Sequence, residues 1–537
     1  MSDSDSATAA DTADYIVVGA GSSGAALAAR LSEDPSVRVM LLEAGPADKN
    51  QAIHIPAAFS QLFKSALDWD YQTAPQEHLA GRSIYWPRGK VLGGSSSLNA
   101  MMWVRGFAAD YEHWAEKASG GWSFEALLPY FRKVEAVAGT SDPDHGTDGA
   151  VSIHPQRSPR GHTAVFLKAT RELGYPTIPA NSRAPMGFSE TMVTQKNGAR
   201  SSTATAYLRP ARRRPNLDIR TGAHATRVLL DGARAVGVEA VIGGARRTLR
   251  ARREVILSGG AVNTPQLLML SGIGPGAQLR ERGIDVVVDA PEVGRNLRDH
   301  LLALLGMGAE KDTLFAATKP REVANYLLRR RGMLTSNVAE AYGFVSTTQQ
   351  PLPDIEVIYA PALYVNEGLT GIPGQGVGLG AILLQPNSHG TVTLASTDPL
   401  AKAIVDPRYL SDPDGDDLRT LMAGLDFCED ILQTSAMRAD TDGHFFAPEG
   451  ADDMDRVTRD LASVTQLSHT LYHPTSSVRM GSDDAAPVDP ELRVRGVQGL
   501  RVADASVMPN IIRGHPNAPS IVIGEKAADL IRKGRAG

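Results

Sequence analysis

The stretch that most constrains the fold is the earliest patterned one. Tyr15-Ile16-Val17-Val18 is a short apolar run that enters Gly19-Ala20-Gly21-Ser22-Ser23-Gly24. An Ala-rich segment from Ala25 to Leu31 follows, and a second apolar run, Val37 to Leu42, ends at Glu43. Strand, tight turn, helix, strand and acid, in that order, describe a parallel α/β unit that binds a dinucleotide. Gly19 permits the tight turn, Gly21 lets the backbone approach a pyrophosphate, and Gly24 lets the helix pack close to the strands. The helix N-terminus turns unpaired N–H groups and a positive dipole end toward the phosphates. Glu43 follows Gly24 by 19 positions, near the separation of about 20 for a carboxylate that accepts from ribose hydroxyls. The turn by itself serves NAD and FAD equally.

Length allows two to four domains in these 537 residues. With 42% hydrophobic and 21% charged residues, the composition is that of a globular protein. A net charge of −5 gives no electrostatic case for nucleic acid. The single cysteine, Cys428, excludes an internal disulfide and a Cys-based zinc site, and no metal is expected. Residues 1–14 are small, polar and acidic, without the basic and apolar regions of a signal peptide, and are read as a disordered tail. No apolar run is long enough to span a bilayer, so a cytoplasmic location is expected. No linker divides the chain, which points to domains interleaved in sequence.

Trp86 to Met102 contains Gly93-Gly94-Ser95-Ser96-Ser97, a backbone suited to run close against a flat ligand rather than to form a packed helix. Residues 111–136 read as helical, with aromatic core positions. Arg212-Arg213-Arg214 reads as a solvated turn. Strands follow from Leu217 to Val241, and Glu254-Val255-Ile256-Leu257 runs into Ser258-Gly259-Gly260-Ala261 and a helix, a second unit of the parallel sheet. Residues 310–460 read as an antiparallel sheet with helices on one face. Near the C-terminus, His473-Pro474 and Asn517 lie in irregular, proline-flanked stretches, followed by a closing helix. Ordered loops on a rigid scaffold concentrate catalytic groups. A histidine can act there as a base near neutral pH, and an amide can orient a substrate oxygen.

With these residues in view, the chain resembles the glucose–methanol–choline family of FAD-dependent alcohol oxidoreductases. Four stretches carry the resemblance: Gly19–Gly24, Gly89–Asn99, Gly260–Gly274, and His473-Pro474 with Asn517. It implies a Rossmann-like FAD-binding domain (15–155, 215–310 and 465–537) interleaved with an α+β substrate domain built on an antiparallel sheet (156–214 and 311–464). It implies that Gly19, Gly21, Ser22, Ser23, Gly24, Glu43 and Ala44 hold the ADP half of FAD. Val91, Gly94, Ser95, Asn99, Ala100, Met101 and Met102 would run beside the flavin and its chain. Ala225 would contact the adenine, and Asp504, Ala505 and Pro516 would complete the cofactor site. His473 matches the catalytic base and Asn517 its partner.

The implied activity is oxidation of a primary alcohol, aryl, furanic or small aliphatic, to the aldehyde. His473 takes the hydroxyl proton and hydride passes to the flavin, with O₂ as the expected acceptor. A choline-type dehydrogenase with another acceptor, or a flavin-containing hydroxynitrile lyase, are the competing readings. Leu98 stands where some members attach FAD through histidine, so the FAD is expected to be non-covalent. His515 is off the register of the catalytic pair, and Glu340 reads as a structural carboxylate. Tyr342, Tyr359, Gln385 and Tyr472 are the candidates for the substrate wall.

Overall fold

Thr12–Val18 is the axis of a seven-stranded sheet. The computed structural model describes residues 11–536 except 184, 185, 365, 370–373 and 449. Val39–Glu43 lies parallel on one side of the axial strand, with Tyr15 opposite Val39, and Leu217–Thr221 extends that edge. Ala245–Leu257 lies parallel on the other side and is flanked by Leu500–Val502. Arg234–Ile242 and Ala223–Asp231 continue the sheet antiparallel. Six of the seven residues of Thr12–Val18 are buried, as expected for a central strand covered on both faces. The helices Ser22–Leu31 and Asn517–Ala536 pack together beside it.

Two expectations about the N-terminal region change. The strand begins at Thr12, not Tyr15: Thr12 and Ala13 pair with Arg250 and Ala251 before a register shift at Tyr15. The last residues of the expected tail are therefore sheet, because a neighbouring strand supplies their hydrogen bonds. Residues 1–10 lie outside the described residues. Arg214 is also not a solvated residue: its guanidinium donates to Ala29 O and Ser32 Oγ at the end of the first helix, while Arg212 and Arg213 are exposed.

The second sheet is antiparallel throughout. Its order is Thr441–Ala447, Leu301–Ala309, Gly376–Leu383, Ile355–Ala360, Ala341–Val345, Gly187–Glu190, with His469–Thr470 beside Leu301. The helix Asp416–Leu432 packs on one face through Leu421, Leu425, Cys428 and Ile431. Leu301–Ala309 and His469–Thr470 belong to this sheet, although the expected boundaries put both with the dinucleotide-binding strands. Leu301–Ala309 is buried at every position, so no polarity change in the sequence marks the passage from one layer to the other. Among the described residues no helix is long and apolar enough to cross a membrane.

The two Gly-rich segments abut. Gly94 opens a four-residue 3₁₀ turn, Gly94–Ser97, at φ 52°. A Cβ on Gly94 would stand 2.7 Å from Gly21 Cα. The serine run is thus one tight turn. Arg200 holds it from behind by donating to Ser96 O at 3.2 Å and to Asn99 O at 2.6 Å.

Candidate active site

The C-terminal ends of the parallel strands open onto a cavity lined by Gly19, Gly21, Ser22, Ser23, Glu43, Ala44, Gly94, Ser95, Ala225, Asp504 and Ala505. Ligands of open α/β sheets bind at such an edge. Glu43 is buried, and its carboxylate accepts from Ala20 N at 3.0 Å and Gly45 N at 2.8 Å. Burial pushes its pKa up to about 7 against those two backbone donors. Gly24 is not in the wall. Its missing Cβ would lie 2.0 Å from Gly19 O, so it serves the close packing of helix and turn. Asp504 accepts from Gly260 N at 2.9 Å and Thr264 Oγ1 at 2.6 Å, which ties the second strand–turn–helix unit to the C-terminal segment. Trp69 and His224, which the motifs did not single out, also line this cavity and meet edge to face at 5.4 Å.

Ser22, Arg88, Gly89, Ser95, Ala505 and Ser520 belong to this cavity and also to a second one. The second is lined by Leu98, Asn99, Ala100, Met101, Met102, Tyr472, His473, Pro516 and Asn517. Its far wall is apolar: Phe59, Phe63, Leu302, Leu304, Ile358, Tyr364 and Leu471. Among the described residues no aspartate or glutamate lines it. Val91 lies behind Leu98 in a small buried cluster and touches neither cavity.

His473 sits between two other imidazoles. Its Nδ1 is 2.9 Å from Nδ1 of His300, and its ring centroid is 4.6 Å from that of His515. His300 Nε2 is 3.1 Å from Leu384 O. A carbonyl only accepts, so this Nε2 carries the hydrogen and Nδ1 of His300 is the acceptor. His473 therefore donates from Nδ1. Its Nε2 has no protein partner among the described residues and faces the cavity as a lone pair. Burial, reinforced by the neighbouring imidazoles and Arg88, holds the His473 pKa well below the ordinary histidine range. Burial likewise lowers His300 to about 3. Both rings are neutral at pH 7.

The backbone at His473 is fixed as firmly as the ring. Asp299 Oδ1 accepts from His473 N at 2.8 Å, and Oδ2 accepts from Thr470 Oγ1 at 2.6 Å and from the Tyr409 hydroxyl. Arg88 Nη1 donates to Tyr472 O at 2.6 Å. Tyr472 is held at φ 68°, an uncommon conformation for a bulky residue and one that clusters at functional sites. Asp299-His300 thus anchors the His473 loop twice, by carboxylate and by imidazole. Nothing in the local sequence marks this pair.

The expected partner of His473, Asn517, shares its cavity, and a second imidazole, that of His515, stands directly against the His473 ring. His515 Nε2 donates to Glu356, 3.0 Å from Oε1 and 3.2 Å from Oε2. Asn517 lines the same cavity, but its Oδ1 accepts from Ser22 Oγ at 2.8 Å at the start of the closing helix. Three of the four substrate-wall candidates are elsewhere. Tyr342 packs against Phe344. Tyr359 stacks on Phe166 at 4.5 Å. Gln385 binds Ile511 O and Asn510. Only Tyr472 reaches the cavity. Glu340 is a structural carboxylate that accepts from Ser336, Thr163 and Arg160 N.

Family models for the GMC oxidoreductase N- and C-terminal regions match residues 13–302 and 386–524. The chain belongs to the GMC oxidoreductase family. This GMC oxidoreductase is 58% identical over 524 residues to an uncharacterized GMC-type oxidoreductase of Mycobacterium tuberculosis, covering 97% of this chain and 99% of that one. It is 42% identical to the alcohol dehydrogenase [acceptor] of Pseudomonas putida, covering 96% and 95%. A solved structure concerned with FAD modification in Aspergillus oryzae formate oxidase superposes with a TM-score of 0.91 at 28% identity, covering 99% and 100%. The protein is a flavoenzyme-family oxidoreductase acting on CH–OH donors.

The residues present fit FAD. The two cavities share Ser22, Arg88, Gly89, Ser95, Ala505 and Ser520, and next to Ser22 and Ser95 in the chain Gly21 and Gly94 line the first cavity without side chains. A long ligand can therefore pass from the Gly19–Gly24 turn to the three histidines.

Proposed function

We propose that this GMC oxidoreductase oxidises an uncharged primary alcohol with an apolar body, aryl, furanic or aliphatic, to the aldehyde. The observation that supports it is the free Nε2 lone pair of His473, facing a cavity whose far wall is apolar. FAD, when bound, supplies the two-electron acceptor for the hydride of the alcohol carbon. Gly19, Gly21, Ser22 and Ser23 would hold its phosphates and Glu43 its ribose. Ser95, Asn99, Ala100, Met101 and Met102 would lie along the flavin end. Leu98 offers no nucleophile, so the group is held non-covalently.

The chain's own part is proton handling and orientation. His473 Nε2 accepts the hydroxyl proton, and the resulting alkoxide expels hydride more readily. His515 lies beside the same oxygen, its Nε2–H committed to Glu356. Phe59, Phe63 and Leu471 exclude water from this step. Among the described residues the charged side chain lining the cavity is that of Arg88, whose like charge disfavours an ammonium group such as that of choline. For the acceptor, the 42% identity to an alcohol dehydrogenase [acceptor] supports a carrier other than O₂.

The test is anaerobic mixing of the purified flavoprotein with a panel of alcohols, read at the flavin absorbance, followed by a dye acceptor or air. Bleaching by aryl or aliphatic alcohols, with reoxidation by dye much faster than by air, is the expected result. A flavin that stays oxidised while a cyanohydrin is cleaved would establish the lyase reading instead. Peroxide formed at the full turnover rate would restore O₂ as acceptor.

A further inference from the structure

The helix Pro320–Arg329 is turned the wrong way for a core element. Val323, Leu327 and Leu328 are 37%, 61% and 83% exposed, while Tyr326 is the buried residue. Positions 323 and 327 lie one above the other on one face of a helix, and 328 lies about 100° further round it. The polar side chains look inward instead. Glu322 accepts from Met333 N at 3.2 Å, and Glu322 and Asn325 close over Gly332. Phe315, 54% exposed, lies in the 3₁₀ turn just before the helix. Ten large apolar side chains are exposed among the described residues, and these four fall within residues 315–328. Scattered exposed apolar residues need no explanation, but a cluster of this kind marks an interaction site.

The flanks are basic. Lys319, Arg321, Arg329, Arg330 and Arg331 are all exposed, and with Glu322 they give residues 319–331 a net charge of +4 on a chain whose total is −5. A second copy of the chain across a two-fold axis would bring the same five cations face to face, which opposes self-association. An exposed apolar stripe between cationic ends fits the interface of an anionic lipid bilayer, with leucines below the headgroups and arginines among the phosphates.

We infer that the helix Pro320–Arg329 docks this enzyme on anionic membrane surfaces. The chain then leads from Arg331 through the turn Met333–Thr335 to Asn337, Val338 and Ala339, which line the alcohol cavity. The docking element is therefore joined directly to the wall of the catalytic cavity. The inference rests on the exposed stripe and its charge and does not depend on which alcohol is oxidised.

Co-sedimentation of the full-length protein with phosphatidylcholine vesicles, with and without phosphatidylglycerol, tests it. Binding to the anionic vesicles only, weakened by salt, is expected. Leu327→Ser/Leu328→Ser should lower the partition coefficient about tenfold or more while leaving turnover of a water-soluble alcohol unchanged. Arg329→Ser/Arg330→Ser/Arg331→Ser should abolish the preference for phosphatidylglycerol. Wild-type protein that stays in the supernatant with both vesicle types overturns the inference. So does a leucine variant that binds as well as wild type, or a wild-type dimer that the leucine variant dissociates without any vesicle binding.

Discussion

His300 and His473 meet nitrogen to nitrogen, with their Nδ1 atoms 2.9 Å apart. Two neutral imidazoles can share such a contact only if one donates and the other accepts. The Leu384 carbonyl on the far side of His300 decides which is which. The reactive tautomer of His473 is thus set by a backbone carbonyl 89 positions away in sequence. His300→Phe removes the acceptor and keeps the ring. We expect kcat to fall by about 10- to 100-fold, the range seen when the hydrogen-bond partner that orients a metal-bound histidine is removed. KM and flavin content should change little. Steady-state kinetics with a flavin spectrum of the same sample check this, and an unchanged kcat would show that the tautomer is set elsewhere.

The second histidine gives a contrast between two residues that the sequence cannot rank. His515→Ala and Glu356→Gln should each depress kcat, because the first removes the ring beside His473 and the second removes the carboxylate that orients it. Asn517→Ala should act mainly on cofactor retention and on the start of the closing helix, through its loss of Ser22. Loss of the general base itself, in His473→Ala, should cost roughly 10²- to 10⁴-fold with flavin still bound. If Asn517→Ala abolishes turnover at full flavin content while His515→Ala is active, the pairing of His473 with His515 has no catalytic meaning.

Two glycines of the turn, Gly21 and Gly24, separate by steric test. An added Cβ at Gly24 would lie 2.0 Å from Gly19 O, whereas at Gly21 the nearest atom is 4.0 Å away, on Gly94. Gly24→Ala should therefore destabilise the fold by about 1–3 kcal/mol through overpacking. Gly21→Ala should fold normally and fail to hold flavin, because its Cβ occupies the ligand's space. Thermal unfolding of the cofactor-free proteins, together with the flavin-to-protein absorbance ratio, distinguishes the two.

The buried His300 also makes a pH prediction. Its folded pKa is about 3, while an unfolded histidine titrates near 6.5. The unfolded chain thus binds the extra proton first. The stability contributed by neutral His300 is complete above about pH 6.5 and is lost as pH falls toward 3. Asp299, raised to about 6, acts in the opposite sense: its protonation favours the folded state as pH drops below 6. Denaturant midpoints between pH 7 and 4 should fall less steeply in His300→Phe than in wild type. A steeper fall in the variant would contradict the neutral assignment.

The sequence by itself determined the dinucleotide turn, the acid at Glu43, the second glycine segment and the location of His473. These are local: a strand that enters a glycine at positive φ, a helix start and an acid at fixed spacing leave a pattern within some thirty residues. Tertiary structure alone decided what surrounds His473. Asp299-His300 reach it from just before a strand of the other sheet, and Glu356, on another strand of that sheet, holds the neighbouring His515; no spacing records such an approach. It also showed that His515 stands beside Asn517 in the same cavity, which no periodicity in a proline-flanked loop records. The outward helix shows the same limit. Its amphipathic pattern is legible at 320–329, but only the packed fold shows that its apolar face was left for something else to cover.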